Sequence, residues 1–592
     1  YSGGTQVAAG KVALDANTAL GAGSATFAKD TELSLGVTKG LSVANAIEVD
    51  GEVDVHSGKF DSSLTGIISG AGSLVKDGTG QLSLTQDNTY SGGTQVAAGK
   101  VALDANAALG TGKATFAQNT ELSLGVTQGV SVANAVQVDG AIKVHSGQFD
   151  SNLDGVVSGV GSLVKDGAGT LTLKGTNIYE GGTVVSDGTL AISQNANLGK
   201  AETGVTVSNA TLLLNGDIAI ERKVTLAGTT ATLNTAQDTS SSLDDAVSGT
   251  AKLIKTGDGT LTLNTANSYA GGTQIAKGTL AISNDASLGA KAGKFGVDVV
   301  IDDAATLALT GNVAAARKLD LTGSTAIIDT AKNTSSSLSD VISGSAKLVK
   351  EGEGSLTLSG VNTYAGSTDI NAGTLVISQD GNLGKAGTGV AINNATLSLN
   401  GSVAVDRTIA LAGTTATVNT TTGSSSLVKE VSGSAALVKT GAGTLTLNSA
   451  NSYTGDTQIT GGTLAIDAND KLGTGTKVTI SDATLALTDT VALNRTLDVT
   501  GIATVDTATG SNSSLDKTVN GSGQLVKTGA GTLELTQANS YTGGTAIKAG
   551  EIVLGANAAL GTGAATFATD TELSFSQGLS VANAVQVDGK VQ

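Results

Sequence analysis

The 592 residues include no cysteine, proline, methionine or tryptophan, and aromatics make up only 2%. Without cysteine there are no disulfides and no thiolate metal sites. The chain is also free of crosslinks, as an export route for unfolded polypeptide requires. Without proline, every backbone N–H stays available to a neighbouring strand. Large cores draw on Phe, Trp and Met for volume and gap filling, so this core, made of Leu, Val, Ile and Ala, is expected to be thin and uniform. Mean hydropathy is +0.14, yet no long apolar run occurs, and no membrane span, signal peptide or lipidation signal is read. The net charge is −17 and the 34 Lys and Arg residues are thinly spread, which excludes nucleic acid as a partner because phosphate recognition needs basic clusters. An acidic surface suits solubility outside a cell.

What is present is repetition. The tyrosines are Tyr1, Tyr90, Tyr179, Tyr269, Tyr364, Tyr453 and Tyr541, separated by 89, 89, 90, 95, 89 and 88 residues. The lysines of an L-[VI]-K-x-G motif, Lys76, Lys165, Lys255, Lys350, Lys439 and Lys527, step by 89, 90, 95, 89 and 88. Two markers with one shared irregularity define one period. The units are 1–89, 90–178, 179–268, 269–363, 364–452, 453–540 and a partial 541–592, read as one continuous segment of a longer array without capping repeats. Two flavours occur. The units from Tyr1, Tyr90 and Tyr541 carry "ATFA" and "SVANA". The four from Tyr179, Tyr269, Tyr364 and Tyr453 carry "GTLAI"-like strands and the only arginines, Arg222, Arg317, Arg407 and Arg495.

Within a unit, short runs of period-two alternation are bounded by Gly, Asn and Asp, which signals strands and turns. Leu171, Leu190, Leu212 and Leu233 are spaced by 19, 22 and 21 residues, about one solenoid turn each, with three short faces per turn. The expected fold is all-β, a right-handed single-stranded parallel β-helix with about four coils per unit. At ~4.8 Å per coil each unit advances roughly 19 Å, and the segment is a rod on the order of 130 Å long.

The stretch "GAGTLTLKGTNIYEGGTVVSDGTLAI" at Gly167 to Ile192 resembles the passenger-associated repeat of autotransporters, and each of the six complete junctions carries it. Asp456 and Ser367 depart from it where the second Gly of a pair is expected. The resemblance implies a passenger exported across a bacterial outer membrane by type V secretion. Such a passenger is extracellular at the cell surface, tethered by a C-terminal β-barrel outside this segment. It implies a stalk or adhesin that contacts host or neighbouring cell-surface molecules or copies of itself. A self-assembling fibre or biofilm-matrix protein is the alternative.

Candidate chemistry is weighed against structure. His56 and His145 stand 89 residues apart in equivalent "VHSG" contexts, too far along the axis for one metal. Asp54 and His56 share a strand face as a base and its orienting partner could, but Lys143 replaces the Asp in the second copy. Parallel β-helices also carry polysaccharide lyases and hydrolases, and Asp302 with Asp303, or Asp244 with Asp245, near an arginine are the candidate acids. An arginine repeated in four units reads instead as a structural position, and the chain is expected not to be an enzyme. "KDGTG" at Lys76 and "EGEGS" at Glu351 read as glycine turns rather than calcium loops, so no cofactor is expected beyond weak, non-specific calcium binding. The threonines of "TLTL" favour strands rather than an ice-binding face. The tyrosines are either aromatic sugar platforms or loop anchors, and the second is the expectation.

Overall fold

The computed structural model describes residues 1–36, 38–291, 296–576 and 578–588. It divides into two compact units, Tyr1–Asp298 and Val299–Gln592. Both are built alike. Strands mostly of two to six residues each pair in parallel with the strand one coil before and one coil after, so the chain winds as a β-solenoid. Among the described residues, helix is confined to single 3-10 turns such as Asn195–Leu198 and Asn469–Leu472.

Alternation decides which side chains face inward. In Thr170–Leu173 the leucines are buried and the threonines face out. Parallel in-register stacking then sets like upon like: Leu171 pairs with Leu190, Leu190 with Leu212, and Leu212 with Leu233. All four are 0% exposed, and burial of each contributes roughly 2 kcal/mol. These are the leucines whose spacing marked one coil in the sequence. Outside them runs a threonine column, Thr170, Thr189, Thr211 and Thr232, on the same rungs. The corner at Asp187-Gly188 shows why glycine is needed there. Gly188 has φ +63°, and a Cβ on it would lie 2.3 Å from the Gly167 carbonyl oxygen of the coil below, so both the backbone and the space exclude a side chain.

The expected four coils per repeat are present, with one face more. One side of the first unit can be climbed from Gly10–Ala13 through Thr31–Ser34, Glu52–His56, Ser73–Asp77, Thr94–Val96, Ala114–Phe116, Val136–Val138 and Val157–Ser158. It continues through the segment of Asn177 and Tyr179, the turn Asn195–Leu198, Ala219–Ile220, Ser240–Leu243 and Thr260–Leu263 to Thr279–Ile282. These are thirteen steps, and they span the three repeats between Tyr1 and Tyr269. The second unit climbs from Ala305–Leu309 to Glu572–Phe575 in the same thirteen steps. A repeat is therefore four and one-third coils, and successive copies of a motif turn by about a third of the circumference. Accordingly the lysine-motif strands Ser73–Asp77, Leu163–Asp166 and Lys252–Thr256 lie in three different sheets.

Candidate functional site: the repeated junction

The junction is built from four kinds of polar side chain, and the first is the motif lysine. Lys76 occupies an inward column between Val55 and Val96. Its stem packs in the core while Nζ donates to the carbonyls of Asp77 (2.8 Å), Gly78 (2.8 Å) and, one coil on, Ala98 (2.9 Å). Carbonyls at a corner need donors, because an unpaired buried carbonyl is costly; the ammonium donates to three at once. Lys165, Lys255, Lys350, Lys439 and Lys527 repeat this cradle, and all six are 0% exposed. Desolvation pushes each down to about 8, against which the neighbouring carboxylate of Asp77 acts at Lys76.

Asparagine bridges coils next. Asn177 accepts from the Val157 N–H (2.7 Å) in the coil below and donates to the Asn197 carbonyl (2.6 Å) in the coil above. Two residues on, Tyr179 is 0% exposed and its Oη lies 2.6 Å from Thr183 Oγ1. Its ring packs against Gly199, where a Cβ would lie 2.8 Å from it. Burial pushes the phenol up to about 12. Tyr90, Tyr269, Tyr364, Tyr453 and Tyr541 are equally sealed, while Tyr1 is 73% exposed. A sealed ring offers no platform to a sugar.

The fourth component caps the turn above the tyrosine ring. Arg222 reaches back from the following coil, 2% exposed, donating to the carbonyls of Leu198 (3.0 Å), Lys200 (3.2 Å), Asn195 (3.0 Å) and Gly199 (3.4 Å) and to Asn195 Oδ1 (2.8 Å). The last carbonyls of a helical turn lack intrahelical donors and carry partial negative charge, so a guanidinium suits them. Arg407 does the same at Gly384 and Lys385 and adds an ion pair, Nε to Asp380 Oδ1 at 3.0 Å. Arg495 donates to Asn469 and Gly473 carbonyls, and Arg317 is 2% exposed. In the other flavour the asparagine of "SVANA" takes this place. Asn45 donates to the carbonyls of Gly21 and Gly23, Asn134 to those of Gly110 and Gly112, and Asn583 to those of Gly561 and Gly563. Sequence reading missed this equivalence, although both caps follow the turn glycine by similar intervals, 23 residues at Arg222 and 24 at Asn134.

The candidate chemical residues fall apart by contrast. His56 does not pair with Asp54; its Nδ1 lies 2.7 Å from Oδ1 of Asp77 in the next coil, and His145 repeats this with Asp166. Lys143 lies 3.7 Å from that same Asp166. Ser34, His56 and Asp77 are register neighbours in three successive coils, as are Ser123, His145 and Asp166. Acyl-transfer triads use these residue types, but Ser34 is 1% exposed and its Oγ has no hydrogen-bond partner among the described residues. A hydroxyl sealed from solvent and not held by the imidazole receives no substrate. Asp303 clips a corner, accepting from Ser324 N (3.0 Å), Ser324 Oγ (2.6 Å) and Thr325 N (3.0 Å), and these bonds hold its carboxyl below the usual range. Asp302 accepts from Thr322 Oγ1, Asp244 from Asn264 Nδ2, and Asp245 from the Ala246 N–H. At "KDGTG" and "EGEGS" the carbonyls that a calcium ion would use accept from Lys76 and Lys350. Among the described residues no group of three or more His, Asp or Glu could hold a metal ion.

The geometry thus defines a repetitive β-solenoid whose recurring polar groups are spent on joining its coils. Residues 74–103, 163–192, 253–282, 348–377, 437–466 and 525–554 each match the passenger-associated-transport-repeat family. Each matched stretch runs from the lysine strand to the strand before the turn, leaving the capping Arg or Asn outside. The chain is similar to the adhesin BmaC autotransporter of Brucella suis biovar 1 (strain 1330), 33% identical over 449 residues, which cover 68% of this chain and 13% of that protein. The chain belongs to the autotransporter passengers that carry these repeats, and so lies outside the bacterial cell, at its surface. No solved structure matches it. No helix among the described residues is long and apolar enough to cross a membrane.

Proposed function

We propose that this segment is the adhesive stalk of a bacterial surface protein, acting by contact along its sides and not by catalysis. One observation carries the reading: the strongest recurring polar groups, Lys, Asn, Tyr and Arg, are buried in the interior copies, with only Asn267 half-buried. What is left outside is a surface of threonine columns and carboxylates suited to contact. The adhesin name of the Brucella relative supports the same reading. Contact is made with molecules of a host or neighbouring cell, the chain itself being held by a membrane anchor elsewhere in the protein.

The test displays residues 1–592 on a non-adherent bacterium and measures attachment to cells and to coated surfaces. Attachment above that of the empty display strain is expected. Equal attachment of the two strains overturns the adhesive reading. Release of reducing or unsaturated ends from acidic polysaccharides, lost on Asp302→Ala with Asp303→Ala, would overturn the non-catalytic one.

A further inference from the structure

Two grooves on the outer surface, one in each unit and at different places in the repeat, share one design. In the first, Ser42, Ser63 and Ser83 stand side by side on three successive rungs. In the second, Thr463, Thr484 and Thr504 do the same. An aspartate precedes the middle hydroxyl by two residues in each, Asp61 before Ser63 and Asp482 before Thr484. One oxygen of each carboxylate is fixed by the coil above, Asp61 Oδ1 accepting from Gln81 N (2.9 Å) and Asp482 Oδ1 from Ile502 N (2.9 Å). Among the described residues the other oxygen of each accepts no hydrogen bond from the protein, and the hydroxyls of Ser42, Ser63, Thr463, Thr484 and Thr504 bond to no protein atom, while Ser83 Oγ accepts from Gln81 Nε2. The grooves hold about 380 Å³ at Asp61 and about 360 Å³ at Asp482, within the span of small-molecule sites. Neighbouring coils lack this combination. After Asp150, Asn152 takes the place of Ser63, and its Nδ2 donates across to Ser131 Oγ (2.7 Å). Where Asp482 stands, the other arginine repeats carry Asn209, Asp303 and Asn394, and each accepts from a hydroxyl of the next coil, Thr229, Ser324 and Thr414.

We propose that these two grooves bind a neutral, gluco-configured pyranose of a glycan on the contacted cell. Successive rungs lie ~4.8 Å apart, close to the separation of two equatorial hydroxyls on alternate carbons of a chair pyranose. One ring facing the ladder therefore meets two serine or threonine hydroxyls at once. Each protein hydroxyl can donate and accept, as a sugar hydroxyl does, and the spare carboxylate oxygen takes a further sugar hydroxyl in a charge-assisted bond. Ile502, 53% exposed, adds an apolar wall to the second groove for the C–H face of the ring. The carboxylate in each groove and the net charge of −17 disfavour sulfated and uronic sugars. The proposal rests on the adhesive reading and deepens it by naming a partner chemistry, and the two fail separately. Cells can attach through other surfaces with the grooves empty, and the grooves can bind a sugar whether or not cells attach.

The experiment records saturation-transfer difference NMR on the full chain with methyl α-glucoside, methyl α-galactoside and methyl α-mannoside. Of the three, only the glucoside has the hydroxyls on carbons 2 and 4 both equatorial. Saturable binding of the glucoside is expected, with the other two about fivefold weaker for one hydroxyl out of place. Ser63→Asn together with Thr484→Asn fills both grooves with the side chain that residue 152 already carries on such a rung, and is expected to abolish binding. Should that variant fail to fold, Asp61→Asn with Asp482→Asn keeps both Oδ1 acceptors, and is expected to weaken binding about tenfold by removing the charge. Equal binding of the three sugars, no saturable binding of the glucoside, or undiminished binding in a folded variant overturns the proposal.

Discussion

The repeat from Tyr90 and the repeat from Tyr364 solve one problem in two ways. Each has a turn lying over a buried tyrosine, and the turn ends in carbonyls with no strand to bond them. The first caps it with a neutral amide from Asn134; the second uses a buried cation, Arg407, tied to Asp380. The cation satisfies more carbonyls but must be held completely, since a buried charge that loses its partner is far costlier than a neutral group. The amide asks less of its surroundings. The same scaffold position is thus held by a buried charge in one flavour and by a neutral amide in the other.

The comparison can be tested by removing each cap in turn and following local opening by hydrogen exchange, because contacts in a solenoid are between neighbouring coils and stability is local. Asp380→Ala, which strips Arg407 of its counter-ion, is expected to have the largest effect, about 3 kcal/mol at the amides of 380–385. Asn134→Ala is expected to cost about 1–2 kcal/mol around Gly110, for two carbonyls left without their donor. If the two losses were equal, charge would not be what separates the flavours. Tyr179→Phe removes only the Thr183 bond and should cost about 1 kcal/mol, by the same measurement.

The last effect is one that both flavours share. Burial lowers the junction lysines from 10.5 to about 8, so between those values the unfolded chain holds more protons and stability rises with pH. Tyr179, Tyr364 and Tyr453 move the other way, from 10.0 to about 12. Between these values the folded chain holds more protons and stability falls. Denaturant midpoints are therefore expected to climb from about pH 8 and to turn down above about pH 10. Lys165→Met should flatten the climb without moving the downturn. A profile that falls steadily from pH 8 would mean that the lysines are not neutralised in the fold.

Much of this architecture was legible in the residues themselves. In-register parallel stacking places like residues one coil apart, so Leu171, Leu190, Leu212 and Leu233 could be assigned to successive rungs from spacing alone, and they pair so. The Asp187-Gly188 corner was visible because only glycine tolerates its backbone there. The partner of His56 was not, because Asp77 is distant along the chain and adjacent only across coils. The same holds for the lysine cradle and for the equivalence of Asn134 and Arg222, whose bonds cross one coil or more.

The sequence by itself determined the coil, its aliphatic core and its period, since these follow from alternation and from one marker repeating. Only the tertiary structure decided the phase. Coil lengths vary with corner geometry, so the extra third of a turn per repeat emerges only from following the ladders step by step. That fraction sets where each junction points and which side chains, far apart in sequence, become neighbours.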